Sequence, residues 1–396
     1  MPPERARPLL VCASTQYWDE TWFRKQHFMS RLAKRRPVLY VEPSRSILRP
    51  PPPDTRESLR NPLLRARTRL VENAVQLWTP PRGLPFWTHP AVSRAQYAQW
   101  GRALRASVER LGFSRVWLWL VQPLWIQARE ALGAERVILD LVDDVTAYEA
   151  RAHSRATMSR CVDRALEAAD LIVTTTRPLA ESARDRNPAA RIEVVGNGVR
   201  QSWIDRAPGA VPRDLASLPR PWIGFAGAIF TYLDFEILAE VARALPEASL
   251  VLLGPIHETA RAQELARAAN VHLLGARPQE EVPDYLAAFD LCLSPFKAGA
   301  VRRAVNPLKI YEYLAAGRPV VSTPLESLRD EPIAREIRFA EAASDFVAAV
   351  RATLAEESGE GSEARAVARR AAVRPYTWEA LSERVESILD EMETIW

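Results

Sequence analysis

The sequence predicts an α/β protein built from two doubly wound domains in tandem. Three observations carry this. A chain of 396 residues exceeds one ordinary domain of about 100–200 residues. Short runs rich in Val, Ile and Leu alternate with amphipathic helical stretches. These runs fall into two series separated by RQSWIDRAPGAVPRDLASLPRP (200–221), a Pro- and Gly-containing stretch that reads as a linker. Because the runs are continuous rather than alternating, each strand is expected to be buried on both faces, as in a parallel sheet covered by helices.

The first series consists of LLVCAS (9–14), PVLYVEP (37–43), VWLWLV (116–121), RVILDLV (136–142), DLIVTTT (170–176) and RIEVVGNGV (191–199), with helices expected over 22–34 and 151–169. The second consists of PWIGFAGAI (221–229), ASLVLLGP (248–255), VHLLG (271–275), FDLCLSPF (289–296) and RPVVSTP (318–324). Ligands are expected at the strand C-terminal ends and in a cleft between the domains. A last helix over 378–396 repeats Leu381, Val385, Ile388, Leu389 and Met392 at helical spacing, so it needs a surface to cover.

Composition narrows the class. The longest nearly unbroken apolar stretch, 116–126, is interrupted by Gln122 and Pro123 and is shorter than the roughly 18 residues of a membrane span. The N-terminus shows no apolar h-region or cleavage site, so the expected location is cytoplasmic. Cys12, Cys161 and Cys292 lie inside apolar patterns without metal-ligand spacing and read as reduced core residues. Net charge is +4, yet only Lys25, Lys34, Lys297 and Lys309 are lysines.

The region 44–70 departs from this pattern, with prolines at 50–53 and seven arginines (45, 49, 56, 60, 65, 67, 69) against Asp54 and Glu57. It reads either as a segment lying on an anionic membrane surface or as a solvated basic loop followed by a short surface helix.

Chemistry concentrates in FDLCLSPFKAGAVRRAVNPLKIYEYLAAGRPVVSTP (289–324). A strand should end at Pro295, a helix should begin near Pro307, and Gly317 should stop it. The free N–H groups of a first helical turn form an anion site, and Arg302, Arg303 and Lys309 surround it. A diphosphate could be held there without a metal, and no metal site is expected. Glu312, three residues after Lys309, shares its helix face, either as a surface ion-pair partner or as part of the site. Asp143 and Asp144 follow a strand and could orient an acceptor hydroxyl or cap a helix.

The segment NPLKIYEYLAAGRPVVSTP resembles the nucleotide-binding signature of family 4 (group 1) glycosyltransferases, whose GT-B fold pairs two Rossmann-like domains facing each other across a cleft. DLIVTTTRPLA with VVGNGV, and then IGFAGAI, LVLLGP and VHLLGARPQEEVPDYLAAFDLCLSPF, are similar to that family in the same order. The closing TWEAL resembles its last helix, which crosses back to the N-terminal domain. The resemblance implies an acceptor domain over 1–205, a nucleotide-sugar domain over 206–375 and a returning helix over 376–396.

It further implies that Glu312 accepts from the ribose diol, a role that suits a carboxylate. The family's other glutamate would fall at Ala304, and its Arg and Lys after the first strand of the second domain are missing from GAIFTYLDF. Phosphate charge is then left to Lys309, Lys297 and the Arg302–Arg303 pair. The loop Asn306, Pro307 and Leu308 lies beside the donor. Gly227 and Ala228 form either a tight turn against the diphosphate or an ordinary βα turn. The base maps to Ala276 and Arg277, although Arg277 reads equally as a surface side chain. QYWDETWFRKQHF replaces a glycine-rich loop, making Trp18, Asp19 and His27 acceptor-site candidates, with a structural role for His27 the alternative.

The implied activity is retaining transfer of a sugar from a UDP- or GDP-linked donor to a glycan, lipid-linked or small-molecule acceptor. The donor is a substrate, and no cofactor is expected. An anionic membrane surface is a candidate partner, and nucleic acid is not expected. Rival readings are a sugar-nucleotide epimerase on the same fold and a non-catalytic two-domain ligand-binding protein.

Overall fold

The computed structural model describes residues 7–47, 66–86, 89–142, 152–207, 209–299, 302 and 305–394. Contacts divide the chain into two units, Met1–Val195 with Val385–Trp396, and Gly196–Arg384. The division after Val195 falls earlier than residue 205, and a second division falls inside the last helix.

Unit 1 is an eight-stranded sheet of β1 (Leu9–Ala13), β2 (Val38–Val41), β3 (Arg67–Leu70), β4 (Gln76–Thr79), β5 (Val116–Leu120), β6 (Arg136–Leu141), β7 (Leu171–Thr174) and β8 (Arg191–Val194). Their order is β3-β4-β2-β1-β5-β6-β7-β8, parallel except for the β3–β4 pair. Successive residues serve opposite faces, as the strand period requires. Leu9, Val11, Leu118 and Leu139 join one core with the helix Pro90–Arg110, while Trp119 on the other face meets Phe28 of the helix Arg24–Leu32.

Unit 2 is a six-stranded, all-parallel sheet of β9 (Trp222–Ala226), β10 (Ser249–Leu253), β11 (Val271–Gly275), β12 (Leu291–Ser294), β13 (Val320–Ser322) and β14 (Ile337–Phe339), in the order β11-β10-β9-β12-β13-β14. Two cores cover its faces. Ile223, Phe225, Leu250, Leu252 and Val321 pack with the helices Phe235–Ala244 and Ala343–Glu357, and Trp222, Ala226, Val251 and Leu253 pack with Leu308–Ala315. Full burial of each such large apolar side chain contributes about 1.5–3 kcal/mol. Asp234 starts the helix Phe235–Ala244 by accepting from the N–H groups of Glu236 and Ile237, both at 3.1 Å.

Three strands were not foreseen from the sequence: β3, β4 and β14. The first of these corrects the reading of the basic region, because Arg67–Leu70 is an exposed antiparallel edge strand rather than part of a surface helix. Residues 48–65 lie outside the described residues. Arg69 pairs with Asp19, and Arg45 Nε donates to the Tyr17 hydroxyl over 2.9 Å.

The last helix, Trp378–Thr394, carries Val385, Ile388, Leu389 and Met392 as buried residues within unit 1. Its acidic side chains meet Arg36, whose side chain has 0% exposure. Arg36 bonds Glu386 at 2.9 and 3.1 Å and Asp390 and Glu393 at 2.8 Å each. Among the described residues no helix is long and apolar enough to cross a membrane. All three cysteines are buried and unbridged.

Candidate functional site

In unit 2 the strand order reverses between β9 and β12, the point at which the carboxyl ends of an open α/β sheet make a crevice for ligands. Gly227, which follows β9, has φ +147°. Gly254, which follows β10, has φ +142°, and a Cβ there would lie 2.1 Å from the Gly227 carbonyl oxygen. The two turns approach this closely because neither carries a side chain.

A Cβ at Gly227 would stand 3.1 Å from Lys309 Cε and 3.3 Å from its Nζ. Lys309 lies in the first turn of Leu308–Ala315, whose N-cap is Pro307. Tyr313, one turn on, anchors the helix to the end of β9: its hydroxyl accepts from Ala226 N at 2.8 Å and donates to Ala226 O at 3.1 Å. Lys309 is only 8% exposed, and its Nζ donates to the Tyr232 hydroxyl over 3.3 Å. The rings of Phe225, Tyr232 and Phe296 surround it at 4.4, 4.7 and 4.9 Å. Burial pushes the Lys309 ammonium down to about 7, against the attraction of Glu312. Glu312 is half-buried, and burial pushes its carboxyl up to about 7, opposed by Lys309 and Arg200. Arg200 donates to Gln279 over 3.1 Å. A carboxylate acceptor, a cation and a side-chain-free turn are thus gathered within one helical turn of the switch point, a set that can hold a diol and a phosphate.

Several predicted residues have other work. Asn306 ties two loops together: its Oδ1 accepts from Asn197 N at 2.9 Å, its Nδ2 donates to Tyr311 at 3.0 Å, and its carbonyl accepts from Asn197 Nδ2 at 2.6 Å. The NPLK loop is thereby fastened to VGNGV. Arg277 spends its charge on Asp214 at 2.8 Å and bonds Tyr285 at 3.1 Å. Arg302 pairs with Glu341. Lys297 is half-exposed, and its backbone N–H donates to Tyr232 O at 2.9 Å. Ala228 accepts from the Tyr232 hydroxyl at 2.6 Å. Arg303, Ala304, Asp143 and Asp144 lie outside the described residues.

The acceptor-site candidates are engaged with neighbours inside unit 1. Trp18, 2% exposed, packs edge-on against Trp22 and Tyr40, so it belongs to the core. Asp19 is paired with Arg69. His27 is buried beside Trp22, with Nδ1 3.3 Å from Arg31, and is structural. At the end of β1 the structure instead gathers a buried Arg24–Asp140 pair at 3.0 Å and Lys25, which donates to Thr15 over 2.9 Å. Burial lowers Lys25 to about 8. Sequence reading missed these residues along with Tyr232 and Arg200. Only the adjacent basic pair RK at the start of an otherwise buried helix carried a signal for them.

Among the described residues no group of three or more His, Cys, Asp or Glu side chains is arranged to hold a metal ion.

Residues 220–356 match the family Glycosyl transferases group 1. A Bacillus subtilis (strain 168) protein, provisionally named teichuronic acid biosynthesis glycosyltransferase TuaH, is 31% identical over 229 residues, which is 56% of this chain and 57% of that protein. The chain thus spans little more than half the length of this curated relative. The sucrose-phosphate synthase of Thermosynechococcus elongatus superposes with a TM-score of 0.71 at 16% identity, covering 98% of this chain and 100% of that one. The E. coli trehalose-6-phosphate structure bound with UDP-2-fluoro glucose gives 0.67 at 12% identity, covering 96% and 98%.

Proposed function

We propose that this chain, whose residues 220–356 match the Glycosyl transferases group 1 family and whose fold is GT-B, moves a sugar from a UDP- or GDP-linked donor to an acceptor hydroxyl with retention at the anomeric carbon. The observation that carries the reading is the placement of Lys309 against Gly227 at the switch point of the second sheet, with Glu312 one turn further along. In this reading Glu312 accepts from the ribose hydroxyls and Lys309 faces the diphosphate. The bond from the anomeric carbon to the diphosphate oxygen breaks, and the acceptor oxygen bonds to that carbon on the same face. The acceptor proton passes to the departing diphosphate. The protein supplies position and stabilises the charge that develops on the leaving group.

A polysaccharide acceptor is supported by the name of the Bacillus relative, and the arginines of 45–69 suit a lipid-linked acceptor and a peripheral position at the cytoplasmic face of an anionic membrane. The test incubates purified protein with radiolabelled UDP-sugars and GDP-sugars and separates free nucleotide. Acceptor-dependent release of UDP or GDP is expected. A protein that neither binds nor turns over either class overturns the proposal, and interconversion of the sugar without release makes it an epimerase.

A further inference from the structure

The turn after β9, GAIFTYLDF, offers no cation between Gly227 and Phe235, although it lies at the switch point where a diphosphate needs one. Its aromatic residue is placed with unusual care. The Tyr232 hydroxyl donates to Ala228 O over 2.6 Å and accepts from Lys309 Nζ over 3.3 Å, so both of its directional roles are fixed. Its ring stacks on Phe296, with centroids 5.1 Å apart and planes inclined by 22°. Its carbonyl accepts from Lys297 N at 2.9 Å, and the next residue, Leu233, bridges to Phe296. Tyr232 is therefore held at once by the turn after β9 and by the segment after β12, the two strands that flank the switch point.

We propose that Tyr232 is a positioning residue for Lys309, holding the ammonium at the Gly227 turn so that a cation from the neighbouring helix serves the phosphates in place of one from the turn. The inference rests on the nucleotide reading of this site. Physically, the three rings of Phe225, Tyr232 and Phe296 favour the ammonium form over the amine, because ring faces attract only the charged form. The hydroxyl adds direction that the rings lack. Together they offset the burial that otherwise strips Lys309 of its proton, with Glu312 the carboxylate that also favours the charge. Without Tyr232 the lysine stem keeps its anchor in the helix, but its tip loses the group that aims it.

The experiment compares wild type with Tyr232→Phe, which keeps the ring and its stacking and removes only the hydroxyl. Calorimetry measures binding of UDP, GDP, uridine and guanosine across pH 6 to 9. For whichever nucleoside diphosphate the wild type binds, Tyr232→Phe should weaken affinity about tenfold, equivalent to about 1.4 kcal/mol, and leave the matching nucleoside unchanged. The pH at which diphosphate affinity falls should also move down. Tyr232→Ala should extend both effects. Unchanged diphosphate affinity and pH midpoint in Tyr232→Phe, or equal losses for nucleoside and diphosphate, overturn the inference while leaving the nucleotide site standing. Wild-type protein that binds none of the four ligands overturns the nucleotide reading and this inference with it.

Discussion

Arg36 Nε donates to Glu386 Oε2 over 2.9 Å across 350 positions of sequence, with the guanidinium wholly withdrawn from solvent. Asp390 and Glu393 complete the set, so one buried cation reads three carboxylates on successive turns of the last helix. Glu386 is itself buried, and replacing it by Gln removes the carboxylate that accepts twice from Arg36 and once from Arg7. Glu386→Gln should lower stability by about 1.5–3 kcal/mol, the range for a hydrogen bond to a charged group. Urea unfolding checks it, and an unchanged midpoint would show that Asp390 and Glu393 suffice.

Glu312→Gln should weaken nucleoside binding by about 1–3 kcal/mol and leave the fold intact, since the substitution keeps shape and removes the charged acceptor. Calorimetry with uridine and guanosine reads the loss without the phosphates. Unchanged affinity would remove Glu312 from the ribose site.

Lys309 and Glu312 give the site opposite pH limbs. Lys309, lowered to about 7, loses its charge as pH rises through neutrality, so diphosphate affinity should decline above about pH 7, and binding there should take up a proton. Glu312, raised to about 7, loses its charge as pH falls through neutrality, so ribose binding should decline below it. Nucleoside diphosphate affinity should therefore peak near neutral pH. Lys309→Ala should flatten the alkaline limb and reduce diphosphate affinity roughly tenfold or more while sparing the nucleoside. Titrations in two buffers of different ionisation enthalpy measure the proton uptake directly.

Strand prediction succeeded where burial is two-sided. VWLWL (116–120) and SLVLL (249–253) are fully buried, and their apolar runs announce it. RTRL (67–70) gave no such signal because an exposed edge strand needs no apolar face, and IRF (337–339) is too short to show a period. In the site, Lys309 and Glu312 were legible because helical spacing sets them on one face. The remaining cations were not, since the partners of Arg277 and Arg302 are Asp214 and Glu341, 63 and 39 positions away. Trp18 was an acceptor-site candidate because nothing local reveals that Tyr40, 22 positions on, packs against it, whereas the structural alternative for His27 agrees with its packing on Trp22. Tyr232 has no periodicity to betray it.

The arginines of 45–69 make vesicle binding measurable. The protein should cosediment with anionic vesicles at low salt, release as ionic strength rises, and bind neutral vesicles poorly, each arginine near the surface contributing up to about 1 kcal/mol. Replacing Arg60, Arg65, Arg67 and Arg69 by Gln should abolish sedimentation and leave nucleotide binding unchanged. Protein that stays in the supernatant with anionic vesicles at low salt removes the membrane from the proposed function.

Because unit 1 contains both 1–195 and 385–396, the order in which the chain is synthesised does not match the order in which its parts can finish folding. Domains ordinarily fold as they emerge from the ribosome, the N-terminal one first. Here Arg36 emerges with the first sheet, and the carboxylates of Glu386, Asp390 and Glu393 follow only after the whole second sheet has been made. The second unit is thus born into a chain whose first unit is still waiting for the helix that brings Arg36 its carboxylate partners.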